Sequence, residues 1–218
     1  MNRNIKYITL KMAFIRHGMT FGNEEKRYIG RTDEGLSDKG KNEILEKKQG
    51  QIYPQADVVY ASPMKRCVKT AELIYSDKDL SLAKDWTEID FGDFEGKNYK
   101  ELSGNEDYQR WIDSNGELPF PNGESKEGFI ERCKKEMTYV CKSYIERKMK
   151  NSNKKMKQKN LCDIAAVVHG GTIMAVLSGF SNGEYYDFQC KNGEGYIFDV
   201  NISLEGGKLE VCNIRSLC

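Results

Sequence analysis

Three largely apolar runs, each closing on a turn and a helix start, constrain this chain more than any other feature. Tyr7 to Ile15, Ala56 to Ala61 and Asp163 to Val168 are short and rich in β-branched and small apolar residues. Runs of this length and continuity predict strands covered on both faces, as in a parallel sheet flanked by helices. Arg16-His17-Gly18 follows the first run, Ser62-Pro63 the second and His169-Gly170-Gly171-Thr172 the third. The chain is therefore expected to be α/β, with these three turns at the carboxyl ends of strands, where open α/β sheets place their ligands.

Helix signals fill the intervals. Ser37 predicts an N-cap for a helix to about Gln49, with Ile44 and Leu45 on its inner face and Gly50 as its stop. Ser62-Pro63 predicts a cap with proline at the first helical position and a helix to about Tyr75. A further helix is expected from Ile173 to about Leu177, and a long one from Lys126 to about Met149. Gly195 to Asn201 and Lys208 to Ile214, separated by Glu205-Gly206-Gly207, predict a hairpin at the sheet edge. Ile89 to Gly123 is glycine-rich, aromatic and irregular, which predicts a cap lying over the strand ends. At 218 residues, one domain with an insertion at about 89–125 is expected over 1–218.

Charge narrows the function classes. Lys plus Arg number 34 against 33 acids, so no global field draws the chain to nucleic acid or to an anionic membrane, and any anion site must be local. Arg147 to Lys159 is the exception, with seven basic residues and no acid; a mobile solvated loop is expected at about 147–160. Ile5 to Ile15 is interrupted by Lys6 and Lys11, lacks a small-residue cleavage site and is too short to span a bilayer. The seven cysteines are odd in number and never spaced as CxxC, which argues against a disulfide framework or structural zinc and for reduced thiols in a cytoplasmic protein.

The chemistry concentrates on the only two histidines, His17 and His169. Glycine follows each, letting backbone N–H groups approach an anion, and the turn after His169 opens a helix whose positive end favours phosphate. Arg16 and Arg66 can converge on the same strand ends, and guanidinium forks match phosphate oxygens. Ordinary polar residues at strand ends, or two ligands of a metal completed by carboxylates, are the competing readings. Neither histidine has HxxxH or HxH spacing, so no metal site is assigned.

Phe14-Ile15-Arg16-His17-Gly18-Met19-Thr20-Phe21-Gly22-Asn23 resembles the signature of the histidine phosphatase superfamily, also called phosphoglycerate mutase-like. Tyr28 to Asp33 with Leu36 to Gly40, Tyr60 to Arg66, Glu88 to Gly96 and Val168 to Gly171 resemble successive blocks in the family order. The resemblance spans residues 7 to about 180; Met19 departs from it, because many members carry a polar residue there. It implies a three-layer α/β/α sandwich around a central, mostly parallel sheet. It also implies His17 as nucleophile, Arg16, Arg66 and His169 as the phosphate pocket, and Glu88 as proton donor, with Glu95 the competing carboxylate. Asn23 matches a phosphate-contacting position, while Thr20 and Gly30 match loop positions near substrate. Gly170 joins the substrate-binding set.

The expected reaction is hydrolysis of a small-molecule phosphate monoester through phosphohistidine on His17, with no cofactor and no metal. Physically, neutral His17 needs one ring nitrogen held so that the other can attack phosphorus in line. Glu88 needs a carboxyl pKa raised enough to protonate the leaving oxygen. The Gly30-Arg31-Thr32-Asp33 block is reminiscent of α-ribazole phosphatases. A bisphosphoglycerate-dependent mutase shares the same inner residues, and a phosphate-binding protein without turnover is the alternative from another class. Monomer and homodimer both stay open.

Overall fold

The computed structural model describes residues 7–150 and 161–218. Six strands form one sheet: β1 (Tyr7–Arg16), β2 (Gln55–Ala61), β3 (Leu80–Leu82), β4 (Leu161–Val168), β5 (Gly195–Ser203) and β6 (Leu209–Leu217), in the order β3-β2-β4-β1-β5-β6. The first four run parallel, and β5 and β6 close the sheet as an antiparallel hairpin beside β1. The helices are α1 (Phe21–Glu24), α2 (Asp38–Gln49), α3 (Lys65–Ile74), α4 (Glu106–Asp113), α5 (Lys126–Lys150) and α6 (Gly170–Phe180).

Alternation along β1 shows why three layers form. Met12 and Phe14 enter a core with Trp86, Phe129, Met137 and Val176 beneath α5 and α6. Ala13 and Ile15 enter a second core with Ile44, Val59 and Ala71 beneath α2 and α3. A strand apolar on both faces needs helices on both faces, which is the α/β/α sandwich.

Several expectations need correction. The helix after β2 starts at Lys65, with Met64 at the cap position and no side-chain cap; Ser62 is not an N-cap, because its hydroxyl bonds His169 instead. The last helix starts at Gly170, not Ile173, directly after an extended His169. Leu45 is exposed at 39% while Ile44 is fully buried, since neighbours on a helix point about 100° apart and only one can face the core. The short edge strand β3 and the helix α4 inside the irregular stretch were not anticipated; Asn105 caps α4 by accepting from Tyr108 N. Ser37 does cap α2, accepting from Gly40 N, and Gly50 ends it.

Of the basic run, Arg147, Lys148 and Lys150 belong to α5, and Arg147 and Lys148 pair with Asp57; positions 151–159 lie outside the described residues. No helix among the described residues is long and apolar enough to cross a membrane.

Candidate active site

Strand order brings the three turns together. β4 lies between β2 and β1, and the register places Arg16 opposite Val168 and Ala61 opposite Val167. His17 N then donates to Val168 O at 2.9 Å and Ser62 N to Val167 O at 3.0 Å. His17, Ser62 and His169 therefore emerge side by side at one sheet edge, and the two imidazole centroids stand 5.2 Å apart.

His17 is 4% exposed, and its Nδ1 donates to Gly18 O at 2.8 Å. A carbonyl only accepts, so Nδ1 carries the hydrogen and Nε2 keeps its lone pair. Burial, reinforced by Arg66 and Arg16, holds its pKa well below 6.5, so the ring is neutral near pH 7. Gly18 N donates to Thr70 Oγ1, which in turn donates to Arg66 O, tying the loop after His17 to α3.

Arg66 is fully buried and has no carboxylate partner among the described residues. Its Nη1 donates to Thr32 O at 2.7 Å, its Nη2 to Gly30 O at 2.8 Å and its Nε to His169 Nδ1 at 3.3 Å. The acceptor role of Nδ1 puts the His169 hydrogen on Nε2, which donates to Ser62 Oγ at 2.8 Å. Both ring nitrogens of His169 are thus engaged, and burial plus the flanking cations keep it neutral. Arg16 Nη1 donates to Cys190 O at 2.7 Å, while Arg16 Nε is buried without a hydrogen-bond partner. Burying a guanidinium without an anion costs several kcal/mol; among the described residues Arg66 is buried in this way, and the half-buried Arg16 brings a second guanidinium beside the neutral His17.

Glu88 follows a short 3₁₀ turn over Lys84–Trp86. Its carboxylate accepts from Ile89 N at 3.0 Å and from Gly171 N, in the first turn of α6, at 3.1 Å. Burial raises its pKa above 4.5, outweighing those N–H bonds and both arginines. Gly171 leaves room for that carboxylate, because a Cβ there would lie 2.2 Å from Glu88 Oε1 and push it aside. Arg132 on α5 anchors the segment, donating to the carbonyls of Asp85, Thr87 and Glu88 and to both oxygens of Glu124.

The other expected residues divide. Gly170 and Arg16 line a pocket of about 310 Å³ with Glu88 and Gly171. Asn23 lines a second recess with Arg16 and Asn192, and its Oδ1 accepts from Asn192 Nδ2, which also donates to His17 O. Thr20 is fully buried and caps α1, so it shapes the loop and does not line the pocket. Gly30 acts through its backbone: its carbonyl holds Arg66, and its N–H donates to Glu95 Oε1, which also accepts from Thr32 N. Glu95 is therefore a brace for the loop.

Phe91, Trp111 and Phe120 from the 89–125 segment line the pocket, whereas Phe94 and Tyr108 pack behind them and Tyr99 is exposed. Tyr185 and Tyr186, on a 3₁₀ turn after α6, complete the wall. Those two tyrosines, Asn192 and Arg132 carry no local sequence signal. Ser62 was visible only as a helix cap. Among the described residues, no group of three or more His, Cys, Asp or Glu side chains is arranged to hold a metal ion.

Fold and site together define an α/β protein with two buried histidines and two arginines gathered at the carboxyl ends of neighbouring central strands. The chain belongs to the histidine phosphatase superfamily (branch 1), whose family profile matches residues 12–214. Phosphoserine phosphatase 1 of Hydrogenobacter thermophilus is 32% identical over 137 residues, covering 58% of this chain and 65% of that protein. The crystal structure of phosphoserine phosphatase from Entamoeba histolytica in complex with 3-phosphoglyceric acid is 26% identical, with a TM-score of 0.68 over 94% of this chain and 96% of that one. The α-ribazole phosphatase from Shigella flexneri shares the fold at 23% identity and a TM-score of 0.63, covering 94% of this chain and 96% of that one.

Proposed function

We propose that the chain is a phosphomonoester hydrolase working through phosphohistidine on His17. The observation that carries this reading is the neutral His17, with Nδ1 held by Gly18 O, beside the buried guanidinium of Arg66 and the half-buried one of Arg16, neither of which pairs with a carboxylate among the described residues. In the first step His17 Nε2 attacks phosphorus; the P–N bond forms, the P–O bond to the alcohol breaks, and Glu88 gives its proton to the departing oxygen. In the second, ionised Glu88 takes a proton from water as its oxygen attacks phosphorus, the P–N bond breaks, and inorganic phosphate leaves.

Arg16 and Arg66 stabilise the charge spread over the equatorial oxygens, a preorganised electrostatic contribution. His169 acts through Arg66, whose Nε it orients, and Asn23 and Gly170 border the phosphate. The chain works as one domain, with 89–125 as a cap over the leaving group. The substrate is a small-molecule monoester, α-ribazole phosphate being one candidate. The seven free thiols, four of them buried, suit a reducing cytoplasm. Phosphatase names among the relatives, beside one named as a bisphosphoglycerate-dependent mutase, support transfer to water over transfer to a second sugar acid.

The test is turnover of a generic aryl phosphate and a panel of monoesters, with chelator present, by the wild type, His17→Ala and Glu88→Ala. Release of phosphate that both variants lose by at least about 100-fold is expected. Undiminished turnover by His17→Ala would overturn the mechanism. Conversion of 3-phosphoglycerate to 2-phosphoglycerate, with catalytic bisphosphoglycerate and no free phosphate, would make the protein a mutase.

A further inference from the structure

The pocket changes character above its floor. Arg16, Glu88 and Gly170 border the phosphate end, but the walls are Tyr28, Phe91, Trp111, Phe120, Tyr185 and Tyr186. Trp111 and Phe120 stand 5.0 Å apart at 30°, and Phe91 meets Phe120 at 5.1 Å and 86°, so the enclosure offers both ring faces and ring edges. Burial pushes the Tyr28 and Tyr185 phenols up, so both stay neutral.

Among the described residues, the only charged side chain on this lining apart from Arg16 and Glu88 is Lys126. It is not free: its ammonium pairs with Glu117 and lies 5.5 Å and 5.8 Å from the ring centroids of Tyr185 and Tyr186. A carboxylate on the leaving group would be desolvated against aromatic rings with no uncommitted cation to meet it, which is costly. An ammonium would find Glu88 already held by two backbone N–H groups and Lys126 repelling it. A flat apolar ring meets neither penalty and gains the area it buries.

We propose that this compartment takes an aromatic ring, so that preferred substrates are monoesters of alcohols bearing a planar aromatic or heteroaromatic group, not phosphorylated amino or sugar acids. As a statement about substrate, it rests on the phosphatase reading; as a statement about binding, it does not. A volume of about 310 Å³ lies at the small end of the range for small-molecule sites, which suits one ring system and its linker.

The experiment compares kcat/KM of the full chain for 1-naphthylmethyl, n-propyl and choline phosphates and for phosphoserine. All four leave as primary alcohols; naphthylmethanol and propanol are close in acidity, so their ratio reports the pocket, while choline and serine are the better leaving groups and so bias the comparison against the aromatic ester. The naphthylmethyl ester is expected to lead the propyl ester by about 10- to 100-fold. In Tyr186→Ala, at a side chain 49% exposed, and in Trp111→Leu, that lead shrinks severalfold. In parallel, tryptophan fluorescence follows binding of naphthylmethylphosphonate and propylphosphonate, neither of which can be hydrolysed.

Equal or better kcat/KM for the propyl ester, phosphoserine or phosphocholine, with turnover intact, overturns the aromatic compartment and leaves the hydrolase standing. A strong phosphonate preference without turnover of any ester supports the compartment and removes the hydrolase. Neither preference nor turnover removes both.

Discussion

Gly171→Ala sets two effects against each other at a single atom. Gly171 lies in the first turn of α6, and alanine is the better helix former by about 1 kcal/mol. The added methyl, however, would lie 2.2 Å from Glu88 Oε1 and 3.1 Å from both Glu88 Cδ and Phe129 Cε1. Phe129 is fully buried and has little room to move, so the carboxylate is the group that shifts. It must retreat by about 1 Å to reach ordinary contact at 3.4 Å, which breaks its bond from Gly171 N. Overpacking costs about 1 to 3 kcal/mol, so after the gain in helix propensity the net loss of stability is roughly 0 to 2 kcal/mol. For the proton donor proposed above, a displacement of about 1 Å lowers turnover by about 100-fold. Gly170→Ala is the control, since its Cβ meets Arg16 Nε only at 3.3 Å; a smaller loss is expected. Urea unfolding and steady-state kinetics on both variants measure the two quantities. Gly171→Ala with wild-type kcat, or with a loss no greater than that of Gly170→Ala, would refute the reasoning.

Three other outcomes follow from the same geometry. The rate profile should be bell-shaped: activity falls on the acid side as His17 protonates, at a pH well below 6.5, and on the alkaline side as Glu88 ionises above 4.5; Glu88→Gln should abolish the alkaline limb, and its persistence would reassign the acid. Because His17 and His169 have lowered pKa values when folded, the unfolded chain binds more protons, and their contribution is lost as pH falls through and below 6.5. This is measurable as a falling urea midpoint that a His17→Ala, His169→Ala double variant flattens. Inorganic phosphate at about 100 times its Kd should stabilise the wild type by about 2.7 kcal/mol, a rise in Tm of roughly 5 to 10 °C for a chain of this size. Arg66→Ala should abolish that shift and itself cost about 2 to 5 kcal/mol, since the carbonyls of Gly30 and Thr32 lose their donor; an undiminished shift would move the phosphate elsewhere.

Much of the site was legible because it is local. Arg16 and His17 are neighbours, His169 is followed by the two glycines that open α6, and Ser37 and Gly50 bound a helix through bonds that reach no further than four residues. Periodicity tells a strand from a helix, and turn residues say where each ends. The misread starts of α3 and α6 are instructive for the opposite reason. Ser62 has the chemistry of a cap, but a partner 107 positions away takes its hydroxyl, and no local rule weighs a helix N–H against a distant imidazole.

The sequence by itself determined the three strand-turn-helix units, and with them the fact that His17, Ser62 and His169 each stand at the carboxyl end of a strand. Only the tertiary structure decided that β4 lies between β2 and β1, in a register that levels those ends. It also decided that Glu88 reaches Gly171 N and that Tyr185 and Tyr186 face the rings of the 89–125 segment across one pocket. The reason is range: caps, turns and side-chain alternation act within a few residues, whereas strand order and pocket walls are set by the burial of whole faces contributed from distant parts of the chain.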